Sequence, residues 1–179
     1  SDGSYTEYML QVLESVSVSH KGNVPSVEKK VKDINNSDAS DPTNNVWQDS
    51  ADHDIGDVIN YKFTGTLPDG YEYYNTYYYK FTDTLSAGLT YNKNAKVYLI
   101  HTINGQDYYY PVNSGYTASF DSNSNKLTVE FKDLKNITLD KTDKIAVYYT
   151  ATLNDKAQIG PTGNPNEVYL TFSNNPNDS

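Results

Sequence analysis

Short runs of alternating apolar and polar residues recur along most of this chain, with turn-forming residues between them. Successive side chains of a strand point to opposite faces, so each run predicts a strand with one buried face. Two of the runs flank Asn104-Gly105, a strong hairpin signal because both residues tolerate positive φ. About eight runs show the pattern, at residues 27–31, 58–63, 77–82, 96–101, 106–110, 126–131, 145–149 and 168–172.

Such an array of short strands, without a convincing long helix, predicts an all-β fold. An immunoglobulin-like β-sandwich fits this number of strands, and a β-barrel is the alternative. The 179 residues suffice for one large domain with its own core. The chain has no Cys, so its stability has to come from packing or from a covalent device other than a disulfide.

The charge balance excludes two classes of partner. The formal net charge is −9, and all 14 basic residues are Lys. A negative surface without Arg is a poor match for nucleic acid or for an anionic membrane. No apolar run is long enough to cross a bilayer. The sequence therefore predicts binding to neither nucleic acid nor membrane.

No cofactor, metal site or turnover chemistry is predicted from the motifs. The three histidines are far apart in sequence and lack the spacing of metal ligands. A polar segment that holds Asp33, Asp38 and Asp41 leaves Ca²⁺ binding open as an alternative. Carboxylates are plentiful, but no pair stands in a motif typical of a glycosidase, which needs two facing carboxylates.

The chain divides into two parts near Pro25. Residues 1–24 read as an N-terminal segment or linker from a preceding domain, because residues 16–18 resemble an exit strand and Pro25 then interrupts the pattern. Residues 25–179 hold the recurring strand signals and are predicted to form the sandwich domain.

Five sequence blocks in residues 25–179 follow one another in an order typical of one protein family. They read PSVEKKVKD (25–33), DHDIGDVINY (52–61), FTDTLSAGLTY (81–91), VYYTATLN (147–154) and GNPNEVYLTFSNNP (163–176). Together they resemble the fimbrial isopeptide-forming D2 family of Gram-positive pilins and surface adhesins. The resemblance implies a collagen-adhesin-type sandwich. The family pattern continues into a final strand after the last block, so the resemblance also implies that residues 25–179 lack this strand.

The family carries a spontaneous amide between a Lys on the first strand and an Asn near the last, assisted by an acidic residue. By resemblance, Lys29 and Asn166 form the isopeptide bond and Asp83 is the catalytic proton shuttle. The strand pattern agrees, since Lys29 shares a face with Val27 and Val31. Asn166 likewise shares the apolar face of its own strand, which suggests that both side chains point inward.

Three other residues leave these assignments open. Lys30 would replace Lys29 as the nucleophile if the strand were shifted by one residue. Asn164 is an alternative to Asn166, and Asp57 is a competing acid.

Burial is what would make these groups reactive. An apolar environment disfavours the charged forms of Lys and Asp, which yields a nucleophilic amine and a carboxylic acid that donates a hydrogen bond. The reaction occurs once in each molecule, so it is autocatalytic maturation, and the protein is not predicted to be an enzyme.

The resemblance implies an extracellular, cell-wall-anchored protein that acts as a structural domain of a pilus subunit or adhesin stalk. Its partners would be neighbouring domains or pilin subunits of the same fibre. Lys21 lies in a segment that loosely resembles the pilin motif joined to the next subunit by sortase, so it is a candidate intersubunit linkage. The alternative function is an adhesin domain that recognises host glycan or matrix protein through a Tyr-rich surface at residues 71–79.

Overall fold

The computed structural model of the chain describes residues 24–32, 54–158 and 166–173, together with the backbone of residues 11–14 and 47–48. Within these ranges the chain forms twelve strands and two short 3₁₀ helices, the latter at Tyr71–Tyr73 and Leu134–Asn136. The strands are β1 (Gln11–Glu14), β2 (Val27–Lys32), β3 (Trp47–Gln48), β4 (Val58–Thr66), β5 (Tyr79–Leu85), β6 (Leu89–Tyr91), β7 (Lys96–Ile103), β8 (Gln106–Val112), β9 (Thr117–Asp121), β10 (Lys126–Phe131), β11 (Lys144–Leu153) and β12 (Asn166–Phe172).

The strands form two separate sheets. One sheet has the order β1-β12-β5-β10-β9, and the other has the order β3-β2-β4-β11-β7-β8, with β6 beside β11. Strands β1 and β12 run parallel, and the other pairs in the described part of the chain are antiparallel. The prediction of an all-β sandwich is confirmed. The barrel alternative is wrong, because the strands do not close into one sheet.

The alternating sequence pattern explains how each sheet faces the core. Buried and half-buried residues alternate along the whole of β5 and β12, as expected when one face packs on the other sheet. On β5 the buried positions are Tyr79, Phe81, Asp83 and Leu85. The inward face of this strand therefore places one acidic side chain in an otherwise apolar row.

Aromatic rings join the two sheets across the core. Phe63 on β4 and Phe81 on β5 have ring centroids 4.9 Å apart. Within β5, Tyr79 meets Phe81 edge-on at 5.2 Å. Strand β11 lies in the middle of its sheet and is buried on both faces from Ile145 to Tyr149. Its outward residue Tyr148 packs in a second, smaller cluster.

The hairpin predicted at Asn104-Gly105 is confirmed. Strands β7 and β8 pair up to Ile103 opposite Gln106, and the two turn residues have φ of 52° and 79°. Each of the eight predicted strands corresponds to one observed strand. The four additional strands are β1, β3, β6 and β9. The division of the chain near Pro25 stays a prediction.

Candidate functional site

The three side chains that the resemblance assigned meet in the core between the sheets. Lys29 lies on β2 of one sheet, and Asp83 and Asn166 lie on β5 and β12 of the other. In the β5–β12 ladder, Asp83 is opposite Val168 and Asn166 is opposite Leu85, so the two polar side chains are diagonal neighbours on one face. All three side chains are buried, with at most 1% of their surface exposed.

The lysine amine contacts both partners directly. Lys29 Nζ donates to Asp83 Oδ1 over 2.5 Å and also donates to the side-chain oxygen of Asn166. The amine that would attack and the carboxamide that would be attacked are thus already in contact. The carboxyl group of Asp83 contacts the amine through Oδ1. Its second oxygen, Oδ2, is buried without a hydrogen-bond partner in the described part of the chain.

A fourth residue, Tyr149, belongs to this cluster and was not predicted. Its hydroxyl oxygen accepts hydrogen bonds from Lys29 Nζ and from Asn166 Nδ2, each over 2.9 Å. Tyr149 lies on β11, and it shares the inward face of this strand with Val147 and Ala151. Which inward tyrosine faces Lys29 could not be predicted from the sequence, because that depends on how the two sheets are placed relative to each other.

Aromatic rings surround the amine and exclude water. Lys29 Nζ lies 4.9 Å from the ring centroid of Tyr61 and 5.3 Å from that of Tyr149. The two tyrosine rings stack on each other with centroids 5.1 Å apart. A cation would gain from such ring faces, whereas burial disfavours the charged form of the lysine.

Burial moves both charged groups toward their neutral forms. It lowers the pKa of Lys29 to about 8, although the charge of Asp83 and the hydrogen bond to it act in the opposite direction. Burial also raises the pKa of Asp83, against the opposing effect of Lys29. The cluster therefore favours an amine that can attack and an acid that can donate a proton.

The competing residues lie elsewhere or outside the described residues. Lys30 points away from the core, and its amine is 3.3 Å from Glu28. The carboxylate of Asp57 accepts a hydrogen bond from the backbone N–H of Asp54 over 2.7 Å, so it stabilises a turn. Asn164, Lys21 and the acidic segment with Asp33, Asp38 and Asp41 lie outside the described residues.

A second group of ionisable side chains lies near the turn before β11. The group consists of His101, Asp140 and Asp143. One potential ligand atom from each residue lies within 4.8 Å of the other two, so the group could hold a metal ion. His101 Nδ1 is 2.5 Å from Asp143 Oδ1 and 3.7 Å from Asp140 Oδ2. A histidine–aspartate ion pair accounts for this geometry without a metal. The spacing of the histidines in the sequence did not predict this group, because the pairing of β7 with β11 brings its residues together.

The Tyr-rich segment contributes mainly to the core. Tyr71, Tyr77 and Tyr79 are buried, whereas Tyr73 is 76% exposed. Residues 71–79 therefore do not present the continuous tyrosine surface that the alternative function requires. Two other exposed tyrosines, Tyr108 and Tyr110, lie on β8 at the edge of the larger sheet.

The fold and the buried cluster define a class of β-sandwich domain, and comparison with known families identifies it. Residues 55–176 match the family model described as Gram-positive pilin backbone subunit 2, Cna-B-like domain. The match covers more than half of the chain, so the chain belongs to this family. A search of curated protein sequences gave no significant match.

Several solved structures are similar to this fold. A structure of the pilus backbone RrgB from Streptococcus pneumoniae has a TM-score of 0.57 and 22% identity, covering 86% of this chain and 54% of that one. The T6 backbone pilin of serotype M6 Streptococcus pyogenes has a TM-score of 0.51 and 25% identity, covering 80% of this chain and 28% of that one. The C-terminal fragment of the major pilin GBS80 of Streptococcus agalactiae has a TM-score of 0.55 and 20% identity, covering 87% and 51%.

The chain thus spans about half or less of the length of these pilins. Their likeness shows the fold. None of the helices in the described residues is long and apolar enough to span a lipid bilayer.

Proposed function

We propose that this chain is a structural, D2-type domain of a Gram-positive pilus subunit or adhesin stalk, cross-linked internally by an isopeptide bond between Lys29 and Asn166. One observation carries the proposal. The lysine amine, the asparagine carboxamide and Asp83 are in direct contact and fully buried, which is a costly arrangement for unreacted polar groups.

The reaction would form one bond and break one. Lys29 Nζ attacks Cγ of Asn166, the new C–N bond forms, the bond from Cγ to Nδ2 breaks, and ammonia leaves. Asp83 first takes a proton from the lysine ammonium, which frees the amine to attack. The proton that Nζ loses on forming the amide balances the one that Nδ2 gains before it leaves as ammonia. Holding amine and amide in contact can lower the barrier by roughly 7–11 kcal/mol relative to a bimolecular reaction.

The family supports the wider role. Membership in a family of pilin backbone domains favours an extracellular, wall-anchored location and neighbouring subunits of one fibre as partners. Cross-linking between the two sheets would suit a domain that has to stay folded in a fibre. In this proposal Lys21 remains the candidate for linkage to the next subunit.

Intact mass spectrometry tests the bond. The folded wild-type chain should be lighter than its sequence mass by one ammonia. Lys29→Ala should keep the full sequence mass, because it removes the nucleophile. The matched variant Lys30→Ala should still lose ammonia, because its amine lies outside the cluster.

A second matched pair tests the acid. Asp83→Ala should keep the full mass and Asp57→Ala should lose ammonia, since of these two acids only Asp83 contacts the amine. A wild-type chain that folds but keeps its full mass would overturn the proposal. Loss of ammonia in Lys29→Ala together with full mass in Lys30→Ala would move the bond to the neighbouring lysine.

A further inference from the structure

The hydroxyl of Tyr149 lies between the two nitrogen atoms that the proposed reaction changes. It is 2.9 Å from Lys29 Nζ, which forms the new bond, and 2.9 Å from Asn166 Nδ2, which departs. The described residues contain no other side chain that hydrogen-bonds both nitrogens. Asp83, in contrast, hydrogen-bonds Lys29 Nζ and not Asn166 Nδ2.

The proton balance requires a donor at Asn166 Nδ2. After attack, Lys29 Nζ carries one proton too many, and Nδ2 has to gain one before it leaves as ammonia. Within the described chain, the hydrogen bonds of the Asn166 side chain go to Lys29 and to Tyr149. Asp83 reaches the attacking nitrogen but makes no hydrogen bond to the departing one.

We propose that Tyr149 is a catalytic proton relay that passes the surplus proton of Lys29 Nζ to the departing nitrogen of Asn166. The proposal rests on the isopeptide reaction proposed above. The phenol donates its own proton to Nδ2 and accepts one from Nζ, so it ends the step neutral and unchanged. Ammonia leaves, the amide remains, and no further reactant is needed.

The direction of one hydrogen bond has to reverse during this step, and the chemistry of the amide allows it. In the planar carboxamide, the lone pair of Nδ2 is delocalised, so the nitrogen donates to Tyr149 as the structure shows. When Cγ becomes tetrahedral, that lone pair is localised and can accept. The phenol is then already within hydrogen-bond distance of the atom that needs a proton.

The surroundings of Tyr149 suit this role. Burial raises its pKa well above that of an exposed tyrosine, so the hydroxyl keeps its proton. Its ring stacks on Tyr61, with an interplanar angle of 17°, and meets the ring of Tyr91 edge-on at 5.6 Å. These contacts hold the hydroxyl in place between the two nitrogens.

The experiment compares Tyr149→Phe with the adjacent Tyr148→Phe, whose side chain packs on the opposite face of β11. Each full chain is made by cell-free synthesis, translation is stopped, and intact mass is followed over time, with circular dichroism as a check of folding. Tyr149→Phe should lose ammonia about 10²–10⁴-fold more slowly than the wild type, the range for a missing acid–base group. Tyr148→Phe should react at the wild-type rate.

The outcomes separate this inference from the proposed function. A wild-type chain that never loses ammonia overturns both. A folded Tyr149→Phe chain that reacts as fast as the wild type overturns only the relay. If Tyr149→Phe fails to fold, a fluorotyrosine at position 149 keeps the ring and lowers the pKa of the phenol. A changed rate and a shifted pH profile then support the relay, and an unchanged profile overturns it.

Discussion

Two ion pairs of the same length show that burial decides how an acidic partner affects the pKa of a basic side chain. Lys29 Nζ lies 2.5 Å from Asp83, and His101 Nδ1 lies 2.5 Å from Asp143. Neither Lys29 nor Asp83 has any exposed side-chain surface, whereas the His101 side chain is 28% exposed. Water therefore screens the second pair and not the first.

The difference appears in the protonation of the two cations. Burial is the largest effect on Lys29 and lowers its pKa to about 8. At His101 the hydrogen bond with Asp143 is the largest effect and raises the pKa. An acidic partner at the same distance thus accompanies a lysine whose pKa is lowered in the core and a histidine whose pKa is raised near the surface.

The largest expected effect comes from removing the amide that Lys29 of the buried pair would form with Asn166. Asn166→Ala should lower the free energy of unfolding by about 5 kcal/mol, the value of the chain-entropy model for a closed loop of 137 residues. Denaturant unfolding of the wild type and the variant measures it. In Lys30→Ala, where the cross-link persists, the free energy of unfolding should change by less than about 1 kcal/mol. Equal stability of Asn166→Ala and wild type would contradict the cross-link.

A smaller effect is expected from pH on the rate of ammonia loss. The Lys29–Asp83 pair needs one shared proton, which it loses as pH rises through about 8, the pKa of Lys29. It gains a second proton as pH falls through the raised pKa of Asp83. The rate should be highest between these limits and fall by up to about tenfold per pH unit above pH 8. A rate that keeps rising above pH 8 would show that the neutral amine suffices and that the acid is not needed.

The smallest effect is expected at the partly exposed pair of His101 and Asp143. Because the pKa of His101 is raised on folding, its pair with Asp143 stabilises the fold below about pH 6.5, the ordinary histidine pKa. That contribution is lost as pH rises through the raised pKa. His101→Asn should therefore lower the midpoint of thermal unfolding slightly at about pH 6 and leave it unchanged at about pH 9. The rate of ammonia loss should not change. A stability difference that persists at high pH would assign His101 a packing role instead.

The sequence predicted eight of the twelve described strands because their side chains alternate with a period of two. It missed β9, whose segment Thr117–Asp121 has Phe120 as its only large apolar residue. It also missed β6, which is three residues long and gains its place by pairing with β11. Short strands of this kind are stabilised by a neighbouring strand rather than by their own pattern.

The candidate site was predictable only in part. The alternation pattern placed Lys29 and Asn166 on inward faces, and the resemblance singled out Asp83. The role of Tyr149 could not be predicted, because β11 holds several inward residues and the packing of the sheets selects one of them. The pair of His101 with Asp143 likewise depends on strand register, which the sequence does not encode locally.

If they are joined by the proposed amide, Lys29 and Asn166 would also determine how far the domain can stretch. They are 137 positions apart. An extended chain spans ~3.3–3.6 Å per residue, so this segment would lengthen to roughly 450–490 Å if it unravelled. With the amide in place, none of that slack is available to a pulling force. In a fibre, such domains would resist stretching between these two positions, whereas Asn166→Ala domains would lengthen by unfolding under load.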